Sequence, residues 1–184
     1  MFIGIGGSLI VNGNNPQAFG KFSQYLSIGT SSSSLISRCE AITSAASQFN
    51  FGIASESYYG YWYYICMPYD VRRSDIILPE GTSIAVRYYD SESRATNGPS
   101  GNWKDVAADG ILRKGQGYIF RTNNTADVGF PATEETHNDI FCSTAITTQL
   151  KEYAAVESAN AGWNLVGNPY PCFYDIYHMD FTAP

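Results

Sequence analysis

Charged side chains are scarce in this sequence. They make up 15% of its 184 residues, against roughly 25% in an average soluble domain. Positive charge is the scarcer sign, with 11 Lys and Arg against 17 Asp and Glu, and no window of the chain concentrates it. Because a nucleic-acid-binding face needs clustered basic side chains to neutralise phosphates, the sequence argues against nucleic acid and acidic membrane surfaces as partners.

Long apolar runs are also absent. The longest unbroken stretch of apolar and aromatic residues is Tyr61–Met67. It is far shorter than the roughly 20 residues that a membrane-spanning helix requires. The sequence therefore predicts no transmembrane segment.

The signature motifs of catalysis and cofactor binding are missing as well. There is no Gly-x-Ser-x-Gly elbow, and the glycines at 4–7 and 115–117 lack the phosphate-loop lysine and the Rossmann spacing. The acids that a glycosidase would need follow no pattern; they are Asp70, Asp75, Asp90, Asp105 and Asp109. We therefore expect a protein that is not an enzyme and uses no cofactor. A glycosidase or a metal-dependent hydrolase fragment is the alternative.

Metal-ligand spacings are few. The four cysteines lie far apart with no C-x-x-C, which argues against zinc ribbons and thioredoxin-type sites; a disulfide and buried free thiols both stay open. Each of the two histidines precedes an aspartate by two residues, His137 before Asp139 and His178 before Asp180. On a strand such a pair shares one face and could offer two metal ligands. The first pair is the better metal candidate, and a surface loop is the simpler interpretation of both.

Aromatic residues and turn formers are abundant, with 14 Tyr, 10 Phe and 17 Gly. Aromatic residues favour strands, while Gly, Asn and Ser favour turns. Tyr61–Met67, the alternating stretch 83–89 and residues 115–121 are the clearest strands. Tyr61–Met67 carries large side chains on both faces, so we expect it at the centre of a sheet. The pattern predicts an all-β, sandwich-like fold of short, mostly antiparallel strands.

The first third of the chain is less regular. Residues 3–12 predict a strand with a glycine-rich first half, and the apolar spacing over 35–48 favours one short helix with Ser34 as its N-cap. Residues 90–102 are rich in Gly, Ser and Asn and predict a polar loop.

An internal repeat joins the middle of the chain to its end. Trp62–Tyr69 and Trp163–Tyr170 align without gaps, with Trp, a β-branched residue, Pro and Tyr at identical positions. Each copy predicts a strand that begins at a bulky anchor and ends at a proline. We expect both tryptophans in the core.

Residues 162–171, GWNLVGNPYP, resemble a signature of β modules in large secreted and outer-surface proteins of Gram-negative gut and gliding anaerobes. In those proteins a W-x-x-[IV]-x-x-P strand precedes a Y-Y-D strand, a loop with a Trp, and then L-x-x-G-x-G-Y. Residues 61–121 follow that order, ending in LRKGQGY at 112–118. The second unit stops before a second G-x-G-Y, so it is abbreviated or the chain is a fragment of a longer protein.

The resemblance implies that the chain has two parts. It also implies that the protein is exported and displayed on the cell surface. Residues 1–57 would be an N-terminal β segment, a candidate for the end of a β-solenoid, packed on a sandwich-like module at 58–184. Such a module would be secreted or lie on the outer face of a Gram-negative bacterium. The resemblance implies no established activity.

Aromatic side chains are the one plentiful resource for binding. More of them are present than a domain of this size can bury, and flat rings with polar edges suit sugars and protein partners. The ligand-binding candidates are Trp103, Tyr89, Tyr88 and Tyr59. We therefore expect a non-enzymatic structural or adhesion module, whose partners would be glycans or host and cell-surface proteins, with a carbohydrate-binding module as the first alternative.

Overall fold

The computed structural model describes residues 2–3, 8–11, 17–19, 22–28, 34–37, 41–44, 47–53, 55–125, 127–133, 141–142, 150–170 and 177. Short strands joined by turns form most of this part of the chain. The strands are Phe2–Ile3 (β1), Ser8–Val11 (β2), Gln17–Phe19 (β3), Phe22–Ile28 (β4), Ser34–Ser37 (β5), Ala41–Ser44 (β6), Ser47–Ile53 (β7), Tyr63–Cys66 (β8), Val71–Arg72 (β9), Ile84–Tyr89 (β10), Trp103–Asp105 (β11), Ile111–Leu112 (β12), Gly117–Thr122 (β13), Asp127–Pro131 (β14) and Phe141–Cys142 (β15). One α-helix, Ser91–Asn97 (α1), and two 3₁₀ turns, Arg73–Asp75 and Ser158–Asn160, complete the described elements.

The first seven strands pair in parallel: each of the strands β1 to β4 pairs with a strand 21 to 26 residues later in the chain. Phe2 of β1 pairs with Ser23 of β4, and Phe22 of β4 pairs with Ser47 of β7. The pairs β2–β5 and β3–β6 repeat the pattern with similar offsets. Parallel pairing at a nearly constant offset is typical of a β-solenoid, in which successive turns of the chain stack on one another, and we use that term for this set of strands. Antiparallel strands β14 and β15 then pair with β7 and β6 of the last turn.

The second main sheet has the strand order β11-β10-β13-β8, with every pairing antiparallel. Side chains alternate across it as the sequence pattern predicts. Val86, Tyr118 and Phe120 point inward and are buried, whereas Arg121 and Tyr64 point outward and are exposed.

One hydrophobic core joins the two main sheets, β1-β4-β7-β14 and β11-β10-β13-β8. The ring of Phe120 lies 5.4 Å from that of Phe51 and 5.9 Å from that of Phe130. Tyr69 is fully buried and donates a hydrogen bond to the carbonyl of Phe130 at 2.9 Å. The all-β, sandwich-like fold is therefore confirmed, and six of the ten described strand pairings are antiparallel.

The helix predicted over 35–48 is wrong. Strands β5, β6 and the start of β7 occupy that range, because their backbones pair with the previous solenoid turn. The described α-helix lies instead at Ser91–Asn97, within the predicted polar loop. Asp90 caps it by accepting a hydrogen bond from the backbone N–H of Ser93 at 2.9 Å, and Gly98, at φ +72°, ends it. The high Ser, Thr and Asn content of α1 is typical of a loop, so the sequence pattern alone did not reveal the helix despite these two capping residues.

The central position predicted for Tyr61–Met67 is also wrong. Its strand, β8, is an edge strand paired only with β13 among the described residues. The large side chains of its outward face, Tyr64 among them, remain at the surface. Aromatic residues on both faces therefore do not identify a central strand here.

The second copy of the repeat does not enter the main sheets. Residues 165–167 lie antiparallel to 115–117 through a single bridge, Gln116 to Val166. Two hydrogen bonds hold this docked segment, Gly117 N–H to the Leu165 carbonyl at 3.2 Å and Gly167 N–H to the Gly115 carbonyl at 3.0 Å. With so little pairing its anchor stays outside the core: Trp163 is 53% exposed, so the prediction of a buried Trp163 is wrong.

None of the helices within the described ranges has the length and apolar character needed to cross a membrane.

Candidate functional site

The outward face of the second main sheet carries an unusual number of rings and guanidinium groups. We call this surface the aromatic face and define it by side chains of strands β8, β10, β11 and β13 and of the residue before β8. They are Trp62, Tyr64, Arg87, Tyr89, Trp103, Asp105 and Arg121. Strand pairing brings them together, because directly paired residues point to the same side of a sheet.

Three rings form one end of the aromatic face. Tyr89 pairs with Trp103 across β10 and β11, and their rings meet edge to face with centroids 5.2 Å apart. The Tyr64 ring approaches that of Trp103 to 6.4 Å from the opposite edge of the sheet. Such tilted contacts between rings are favourable. Because Tyr64 is 73% exposed, the cluster keeps an apolar surface in contact with water.

Two guanidinium groups surround Trp62 at the other end. The guanidinium carbons of Arg87 and Arg121 each lie 4.9 Å from the centroid of the Trp62 ring. This distance is within the range of a cation–π interaction. Trp62 is half-buried on the outward face, so its predicted place in the core is wrong, and its ring holds two cations instead.

Arg87 also makes an ion pair. Its Nε donates to Oδ1 of Asp105 at 2.8 Å, and both side chains are well exposed. An exposed pair of this kind contributes little to stability. It does place hydrogen-bond donors and acceptors directly beside the exposed rings.

The predicted binding residues are only partly brought together. Trp103 and Tyr89 are in contact on the aromatic face, whereas Tyr88 points inward and packs against the core. Tyr59 lies in the turn before β8 and is 38% exposed. The metal candidates His137 and Asp139 lie outside the described residues. Sequence reasoning missed Tyr64, Trp62, Arg87 and Arg121 as site residues, although alternation with buried Ile65, Val86 and Phe120 is the signal that places them outward.

Four of the five candidate acids, all except Asp109, have structural partners among the described residues. Asp70 pairs with Arg113 at 2.6 Å, Asp90 caps α1, and Asp105 pairs with Arg87. Asp75 lies 4.0 Å from Arg72. Within the described ranges no group of three His, Cys, Asp or Glu side chains is placed to share a metal ion.

A shallow cavity of about 290 Å³ opens beside the inward residues Tyr88, Gln116 and Tyr118. The Tyr118 hydroxyl accepts from the Arg113 N–H at 2.7 Å and donates to Gln116 Oε1 at 2.9 Å. Burial raises the pKa of Tyr118 to about 12. At neutral pH this phenol stays protonated and links the Arg113 backbone to the Gln116 side chain.

Cys66 lies on the outward side of β8, against Gly167 of the docked segment. Among the described residues it is a free thiol, and burial raises its pKa from 9.0 to about 12. The thiolate is the reactive form. Since the pKa is raised on folding, the protonated thiol stabilises the fold fully below pH 9 and loses this contribution as the pH rises toward 12.

We expect Cys66 to resist alkylation in the folded protein. Iodoacetamide at pH 8.5, followed by peptide mass spectrometry, should leave Cys66 unmodified under native conditions and modify it fully in urea. The urea sample is the control for accessibility. Rapid native labelling of Cys66 would contradict both the burial and the raised pKa.

Comparison of the chain with protein-family models, with curated proteins and with solved structures finds no match.

Proposed function

We propose that the chain is a non-enzymatic adhesion module, displayed on a bacterial surface, that binds carbohydrate through the aromatic face. The observation that carries the proposal is the exposed cluster of Tyr64, Trp103 and Tyr89 on a sheet whose other face packs against the hydrophobic core. Exposed apolar clusters rimmed by polar groups mark interaction sites. Surface display rests on the resemblance of the repeat to exported β modules.

Carbohydrate suits this surface better than a protein partner does. A sugar ring offers an apolar C–H face to an aromatic ring, and its hydroxyl groups need donors and acceptors at the edge. The Arg87–Asp105 pair supplies both beside the rings. Acidic side chains such as Asp105 are, in contrast, depleted at protein interfaces. The structural partners of four of the five candidate acids support a binding role over a hydrolytic one.

We expect replacement of Trp103 to weaken glycan binding. In a glycan array followed by calorimetry, Trp103→Ala should lower the affinity for the best ligand by about tenfold or more, because an anchoring ring of an interface typically contributes over 1 kcal/mol. Tyr64→Ala should act in the same direction. Its ring is 73% exposed, so the substitution leaves the fold intact.

Trp163→Ala is the matched control. It removes another exposed indole, which stacks on Arg94 at 5.1 Å and donates to the Ala159 carbonyl, and it should leave binding unchanged. If no glycan binds the folded protein, or if Trp103→Ala binds as tightly as the wild type, the proposal is wrong. The first of these results would leave a protein as the partner of this face.

A further inference from the structure

We infer that the aromatic face recognises an acidic sugar, with Arg121 binding the carboxylate of a uronic acid. This inference rests on the proposed function and specifies its ligand class. It starts from the different situations of the two guanidinium groups beside Trp62.

Arg87 is already neutralised. Its Nε is hydrogen-bonded to the carboxylate of Asp105 at 2.8 Å. Arg121, in contrast, takes part in none of the three ion pairs found in the described part of the chain. Its side chain is exposed, and its guanidinium lies over the Trp62 ring. Among the described residues, the aromatic face therefore carries one guanidinium that forms no ion pair with a carboxylate.

Trp62 positions this charge. An isolated surface arginine samples many rotamers, and ordering it on binding costs free energy. A guanidinium held over a half-buried indole at 4.9 Å is restricted before the ligand arrives. The planar fork of Arg matches the two oxygens of a carboxylate. A guanidinium that is already positioned and forms no ion pair among the described residues is thus well suited to bind a carboxylate.

The rings lie within reach of the same ligand. Arg121 and Ile119 are two positions apart on β13, so they share the outward face, and Ile119 pairs directly with Tyr64. A sugar stacked on Tyr64 would therefore direct a ring substituent toward Arg121. A carboxylate is the substituent that complements the positive charge of Arg121. This positive charge is notable because the chain as a whole has a net charge of −6.

The test compares each acidic oligosaccharide with its own neutral form. The probes are tetrasaccharides of galacturonate, glucuronate and mannuronate, each paired with the carboxyl-reduced sugar. Binding is measured by calorimetry at 50 and 500 mM NaCl. We expect one acidic probe to bind about tenfold more tightly than its reduced form at low salt, because a charge-assisted bidentate bond is stronger than a neutral one, and the preference to shrink at high salt.

Arg121→Gln should abolish the preference, so that the acidic probe binds no more tightly than its carboxyl-reduced form. Arg72→Gln is the matched control. It removes one positive charge from β9, which pairs only with β12 in the described structure, and should preserve the preference.

The results separate the two proposals. Equal binding of acidic and reduced sugars would overturn the carboxylate site and leave the carbohydrate-binding function standing. A preference that survives Arg121→Gln would overturn the role of Arg121. Failure of all probes to bind, together with failure of neutral glycans on the array, would overturn both proposals.

Discussion

Replacement of Phe120 by Ala is expected to lower the free energy of unfolding by about 3–5 kcal/mol. Phe120 is fully buried, and its ring meets those of Phe51, Phe130 and Tyr63 at centroid distances of 5.4–6.1 Å. It therefore connects the second main sheet to the last turn of the solenoid and to β14. Truncation would remove these contacts and leave a cavity that the two sheets cannot easily fill. Because small domains are stable by only about 5–15 kcal/mol, the variant would be close to unfolding at 37 °C.

Tyr64→Ala serves as the matched control for Phe120→Ala. Both residues are aromatic and belong to adjacent strands of the same sheet, but Tyr64 lies on the outward face and is 73% exposed. Its loss should cost under about 1 kcal/mol. Urea unfolding followed by circular dichroism measures both values. Similar losses for the two variants would contradict the assignment of inward and outward faces.

Replacement of Gly167 by Ala is expected to detach the docked segment. A Cβ at this position would overlap the Cβ of Cys66 and lie 2.6 Å from its Sγ, so the segment or β8 must move. Overpacking of this kind typically costs about 1–3 kcal/mol. Since the segment covers Cys66, its movement should also expose the thiol and speed its alkylation under native conditions.

The double variant Cys66→Gly with Gly167→Ala tests the cause. It removes the Cβ and Sγ of Cys66 from β8 and adds a Cβ to the docked segment, and it should recover part of the stability that the two single variants lose. The thermal midpoints of the four proteins measure this coupling. Additive losses would show that the overlap with Cys66 is not responsible.

Much of the fold follows from local patterns. Ile84, Val86 and Tyr88 alternate with polar or outward residues, and the structure places all three toward the core. Tyr118 and Phe120 do the same on β13. Alternation of apolar and polar residues with a period of two indicates a strand with one buried and one exposed face, and glycines and prolines mark where the strand ends. These signals depend only on neighbours in the chain, so they can be read without the tertiary structure.

The aromatic face could be predicted only in part. Trp103 and Tyr89 are recognisable as surplus aromatic residues, and they do meet. Their partners Tyr64 and Arg121 come from strands β8 and β13, about 20–40 positions away from them in sequence. Only the order of the strands brings these side chains onto one surface. Tyr88, the neighbour of Tyr89, shows the converse, because one step along a strand moves a ring from the surface to the core.

The repeat shows the same division between local and long-range information. The sequence by itself determined the two Trp-to-Pro segments, the alternation of faces and the all-β class, because these depend on spacing and turn chemistry. Tertiary structure alone decided that β8 is an edge strand, that Tyr69 rather than Trp62 enters the core, and that Trp163 stays at the surface. The physical reason is that the burial of a side chain depends on which distant strand covers its face of the sheet. The residues adjacent to it in the chain do not specify that strand.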